Sequence, residues 1–135
     1  MHDSVLGIGI DIVEIARIRA LVENSGMQFL KKHFTLKEIN DCNKKVNRYE
    51  HFAGKFAAKE AAYKALLIRR GENFNWKNIQ ILNDEDGEPR IELSGVIEKG
   101  RYGIGSSRIL VSISHCKEYA AAVVLITGED NHDSN

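Results

Sequence analysis

Residues 52–67, Phe-Ala-Gly-Lys-Phe-Ala-Ala-Lys-Glu-Ala-Ala-Tyr-Lys-Ala-Leu-Leu, constrain this chain more than any other stretch. Alanine and leucine are strong helix formers, and the one interior glycine, Gly54, costs only about 1 kcal/mol relative to alanine. Phe52, Phe56, Tyr63 and Leu67 recur at helical spacing and form an apolar stripe. The spacing predicts one long helix over about 49–68, closed by Arg69-Arg70-Gly71, cations followed by glycine. Glu60 and Lys64 stand one turn apart on the same face, with Lys59 and Tyr63 beside them. Taken alone, such a pair is a solvated contact worth a few tenths of a kcal/mol. A functional reading competes because the rest of the chain supplies an acid, Asp11, and a histidine, His115, at strand ends.

A chain of 135 residues can bury a core as one domain, expected over 1–127, with 128–135 as a polar, disordered tail. Its 43% apolar and 28% charged content is ordinary for a soluble globular protein. Nineteen basic residues balance nineteen acidic ones, so no global field favours nucleic acid or a membrane surface. Cys42 and Cys116 have neither zinc-site nor disulfide-framework spacing, and free thiols suit a reducing cytoplasm. Asp3 precedes the first arginine, Arg17, the wrong order for a signal peptide. Apolar runs such as residues 5–10 are too short to span a bilayer. The expectation is a soluble cytoplasmic domain.

Residues 5–10, Val-Leu-Gly-Ile-Gly-Ile, read as a buried strand ending at Asp11, its glycines permitting close backbone packing inside the sheet. The Gly-Ile-Gly lacks the third glycine and the Lys-Ser/Thr of a phosphate-binding loop. Residues 12–23 carry helical spacing through Ile15, Ile18, Leu21 and Val22, and 27–34 form another short helix after Ser25-Gly26. Thr35-Leu36-Lys37-Glu38 fits the capping box and starts a helix that stops near Cys42-Asn43. Lys44, Lys45 and Arg48 follow as a basic connector. At Trp76 the period changes from helical to alternating, a half-buried strand, and Asp86-Gly87 marks the turn to its hairpin partner at 90–93. Ser94 is placed to cap a short helix over 96–102, ahead of a break at 103–107. Strands at 109–114 and 119–126 are joined by a turn at 115–118. Helices early and antiparallel strands late predict an α+β domain: an antiparallel sheet packed on one long helix plus shorter helices.

Asp11, at a strand-to-helix junction, either caps the following helix or ligates a hard cation. Magnesium typically takes one or two protein carboxylates, with water and phosphate oxygens completing its octahedron, so Asp11 and Glu60 would suffice. Spacing does not say whether they meet. His115 is either a partly exposed turn residue or a donor to an anionic group. Ser114-His115 does not read as a nucleophile–base pair: strand neighbours point to opposite faces, and no G-x-S-x-G elbow occurs.

Six blocks appear in order: Gly7-Ile8-Gly9-Ile10-Asp11-Ile12-Val13-Glu14-Ile15; Phe34-Thr35-x-x-Glu38; Phe56-Ala57-Ala58-Lys59-Glu60-Ala61-x-x-Lys64-Ala65; Gly87-x-Pro89; Ser112-Ile113-Ser114-His115; and Tyr119-Ala120-x-Ala122. In these, over about residues 6–125, the chain resembles the holo-acyl-carrier-protein synthases, small 4′-phosphopantetheinyl transferases. The resemblance implies transfer of the 4′-phosphopantetheine arm of coenzyme A to a serine hydroxyl of apo acyl carrier protein. It also implies Asp11 and Glu60 as Mg2+ ligands (Mn2+ being an alternative) and Lys64 as the group that neutralises the leaving phosphate. Lys59 and His115 would contact coenzyme A phosphates, Arg17 would dock the carrier protein, and the serine proton would leave through Glu60 or a metal-bound water. A homotrimer with sites between subunits is implied too.

Two departures stand out. Leu67-Ile68-Arg69-Arg70-Gly71 replaces the family's Gly-Thr-Gly turn, and Lys55 stands where arginine is usual, removing a bidentate fork. The altered residues after the long helix motivate an alternative, a module that binds coenzyme A or a carrier protein without chemistry. A nucleic-acid module ranks below both, for want of a basic stripe interleaved with aromatic residues.

Overall fold

The computed structural model describes residues 3–68, 74–95 and 108–129. In chain order these form β1 (Asp3–Glu14), α1 (Ile15–Ser25), α2 (Met27–His33), α3 (Leu36–Asn43), α4 (Arg48–Ala65), β2 (Ile79–Asn83), β3 (Pro89–Leu93), β4 (Arg108–His115) and β5 (Tyr119–Glu129). A single 3-10 turn, Trp76–Asn78, leads into β2. The expected α+β architecture is present. β1, β5 and β4 form a three-stranded antiparallel sheet in that order, and β2 and β3 form a separate hairpin.

α4 is the hub, packed against both sheets and against α1 and α3. Residues 52–59 are all buried, and Phe52, Ala53, Ala57, Ala58, Ala61 and Ala62 are inaccessible to solvent. Ile18, Phe34, Ile79, Ile81, Val124 and Ile126 close around it. Burying each such large side chain contributes about 1.5–3 kcal/mol, so the core is assembled on this helix. Thr35 and Glu38 make the expected capping box at the start of α3.

The structure moves several boundaries. β1 does not end at Asp11 but continues to Glu14, pairing Asp11 with Ala122 and Glu14 with Tyr119. Its branched residues alternate with small ones, a period of two that favours strand over helix. Gly7 and Gly9 lie against α4 rather than packing inside the sheet. A methyl group on either would overlap the carbonyl oxygen of Ala65 or Ala61, so only glycine lets strand and helix approach this closely. α4 stops at Ala65, and the turn is made by Leu67 at φ 53°, upstream of the Arg69-Arg70-Gly71 expected to close it. Trp76 and Asn78 belong to the 3-10 turn, not to a strand. β5 runs to Glu129, past the expected end at residue 126. The helix expected over 96–102 and residues 130–135 of the tail lie outside the described residues.

Candidate active site

Three elements build a charged patch beside the C-terminal half of α4. The strand period turns Asp11 to the same side as Gly7 and Gly9, facing the helix. Glu60 and Lys64, one turn apart, occupy the α4 flank beside it. Lys64 Nζ donates to the Ile10 carbonyl at 2.9 Å and to Asp11 Oδ1 at 3.2 Å. Burial pushes the Glu60 carboxyl above the ordinary glutamate value, and the Asp11 carboxylate pushes it further, while Lys64 and Arg17 oppose the rise. Asp11, Glu60, Lys64 and Arg17 therefore share one electrostatic environment. The capping alternative for Asp11 is overturned: it lies inside β1, and α1 is preceded by Glu14, which makes no side-chain cap.

Asp11 and Glu60 offer hard oxygen donors on two rigid elements, and repulsion from Asp11 adds to the rise that burial imposes on Glu60. A divalent cation relieves that repulsion, so the donor chemistry fits magnesium. Among the described residues no group of three or more His, Cys, Asp and Glu side chains converges. A shell held by two carboxylates would leave positions for water and phosphate oxygens.

Lys59 is elsewhere. Its side chain is 1% exposed, and Nζ donates to Glu38 Oε1 at 2.8 Å, to the Ile79 carbonyl at 2.5 Å and to the Trp76 carbonyl at 3.3 Å. Burial lowers the Lys59 ammonium from its ordinary value and Glu38 opposes the shift. The expected contact of Lys59 with coenzyme A phosphate is corrected: all three donor directions are taken inside the core, because a helix buried on most sides turns residue 59 inward. Lys55 is buried too and donates to the Ile81 carbonyl at 2.7 Å.

His115 ends β4 on the far edge of the sheet, with Nδ1 3.5 Å from Glu50 Oε2 and its ring 6.3 Å from that of His51. Ten residues of α4 separate Glu50 from Glu60, about 15 Å at the helical rise. One chain therefore does not bring His115 to Asp11 and Glu60. Sequence reasoning missed Glu50 and His51 as its neighbours, because nothing in the spacing links the head of α4 to the end of β4. Burial lowers the His51 imidazole, and Lys45 and His115 lower it further.

The 4′-phosphopantetheinyl transferase superfamily model matches residues 7–124. A holo-(acyl-carrier-protein) synthase of Ruminiclostridium cellulolyticum is 41% identical over 125 residues, covering 92% of this chain and 93% of that protein. The Helicobacter pylori synthase solved with coenzyme A superposes with a TM-score of 0.76 at 36% identity, covering 88% of this chain and 98% of the other. The Bacillus anthracis synthase in complex with CoA (3′,5′-ADP) gives 0.75 at 31% identity over 93% and 98%. With a match through nearly the whole chain, and with its motif acids brought together beside α4, this chain belongs to the 4′-phosphopantetheinyl transferase superfamily.

Proposed function

We propose that the chain is a holo-acyl-carrier-protein synthase that moves 4′-phosphopantetheine from coenzyme A to a serine of apo acyl carrier protein, with adenosine 3′,5′-bisphosphate as the other product. The observation that carries this reading is the grouping of Asp11, Glu60 and Lys64 in a chain of this family. Asp11 and Glu60 would hold Mg2+, or Mn2+ in its place. When bound, the ion polarises the diphosphate and keeps nucleophile and leaving group in line. Lys64, about half exposed, supplies positive charge toward the departing bisphosphate, where charge grows most in phosphoryl transfer. Arg17, exposed on α1 beside the same patch, is available to an acidic carrier protein.

The working form is a homotrimer. Val5, Ile8, Ile10 and Ile12 stand 63–67% exposed along β1, an apolar row that water disfavours and further copies of the chain would cover. His115 lies too far along α4 to serve its own Asp11 and Glu60, which suits a site shared between subunits and leaves its imidazole to the coenzyme A phosphates of a neighbour. Among the described residues no helix is long and apolar enough to cross a membrane, and Cys42 and Cys116 are free, in keeping with a cytoplasmic enzyme.

Incubation with apo carrier protein, coenzyme A and Mg2+ should add the phosphopantetheine mass to the carrier. Asp11→Ala and Glu60→Gln should each abolish the gain while the variant stays folded by circular dichroism. Lys64→Ala should lower kcat more than it raises KM for coenzyme A. Tight coenzyme A binding in calorimetry with no mass gain would instead identify a binding module.

A further inference from the structure

The Lys59–Glu38 pair is buried more deeply than any other ion pair among the described residues, at 1% and 0% side-chain exposure. Every part of it is satisfied. Lys59 Nζ has its carboxylate and two carbonyls, and the Glu38 carboxylate also accepts the Thr35 and Ile81 backbone N–H groups, each at 2.8 Å. Such a pair is poorly explained by stability, because apolar residues of similar volume are often as stable or more so. What it adds is direction. In the half that carries Glu60, α4 meets its neighbours largely through alanines, Ala57, Ala58, Ala61, Ala62 and Ala65; its other large buried side chains, Phe52, Lys55 and Phe56, all lie in the first half.

We propose that the Lys59–Glu38 pair is a positioning device that sets the rotation of α4 and so aims Glu60 and Lys64 at Asp11. The inference rests on the reading of Asp11 and Glu60 as metal ligands. At about 100° per residue, Lys59 and the glycine-lined contact through Ala61 lie on nearly opposite sides of the helix. Glu60 falls between them, adjacent in sequence to both. The helix is held by a polar peg in the β2 end of the hairpin on one side and by backbone contact with β1 on the other. A turn of about 10° about its axis would carry a carboxylate at its periphery by about 1 Å. A displacement of that size costs on the order of 100-fold in rate when it misplaces reacting groups. The device also ties the segment of α4 that carries Glu60 to α3 and the β2–β3 hairpin.

The test uses the full chain with Glu38→Gln and Lys59→Met together, which removes both charges and keeps the volumes. Mn2+ is titrated into the parent and the double variant, with free ion read by electron paramagnetic resonance, alongside circular dichroism, kcat and KM for coenzyme A. The expected result is a folded variant whose Mn2+ dissociation constant rises about 10-fold or more, the effect of losing support behind a ligand. Its kcat should fall about 100-fold, with KM for coenzyme A changing less than about threefold. A rise in the Mn2+ dissociation constant of under about threefold overturns the proposal, whatever the melting temperature does, because a purely structural pair moves stability alone. Should the double variant fail to fold, Glu38→Gln alone is read by the same threshold. A parent that neither binds Mn2+ nor transfers phosphopantetheine removes the functional reading as well. A parent active beside an unaffected variant removes this inference only.

Discussion

Leu67 adopts φ 53° directly after α4, a left-handed conformation that costs a branched side chain about 1–2 kcal/mol. Its N–H donates to the Lys64 carbonyl at 3.1 Å, so the strained turn closes the helix in the way a glycine commonly does. The side chain is 56% exposed and returns little packing energy. Leu67→Gly should therefore raise unfolding free energy by about 1 kcal/mol in urea denaturation. His33 is a second residue whose behaviour follows from its surroundings, its ring lying against Phe29, Phe56 and Trp76. Burial holds its pKa below 6.5, Lys32 and Lys59 lower it further, and a hydrogen bond with the Phe29 carbonyl opposes them. Protonation is thus easier in the unfolded chain. The stability tied to neutral His33 is complete above about 6.5 and is lost as pH falls through the depressed folded value. His33→Phe should flatten the fall in melting temperature below that pH, measured by scanning calorimetry, with His51 accounting for part of the slope that remains. Cys42 shows the same dependence on place: burial pushes its thiol up to about 12, which makes it inert, whereas Cys116 is exposed.

Among the elements, the contact of β1 with α4 governs the site. Gly9 allows the strand backbone to reach the Ala61 carbonyl, and the same approach brings Asp11 to Lys64. Gly9→Ala should cost about 3 kcal/mol in urea denaturation, since backbone on both sides must move. It should also weaken Mn2+ binding as Asp11 withdraws from Glu60. The capping box of α3 was legible because its residues are three apart, and the hairpin turn because Gly87, at φ 85°, meets a local requirement. The true end of β1 was hidden. Residues 12–23 carry helical spacing as well as strand-forming residues, and only pairing with β5 extends the strand through Glu14. The capping box likewise revealed one task of Glu38 and concealed the other, its pairing with Lys59 from 21 residues away.

At the scale of the whole molecule, the apolar row on β1 calls for partners. Under the proposed homotrimer, Ile10→Glu should convert a species sedimenting at three times the chain mass into monomers, because a charge there is harmless in water and unfavourable in an interface. Transfer activity should fall with the trimer while circular dichroism stays unchanged, since Ile10 contributes nothing to the core of its own chain. Sequence by itself determined the long helix, the capping box, the hairpin turn, the α+β class and the family, because each is written in spacings of a few residues or in motif order. Tertiary structure alone decided that Asp11 meets Lys64 across 53 residues, that Lys59 faces inward to Glu38, and that His115 lies apart at the other end of α4. The physical reason is that periodicity tells which face of a helix or strand a residue occupies. What that face meets depends on how closely the backbones pack, and here two glycines and a row of alanines set that distance.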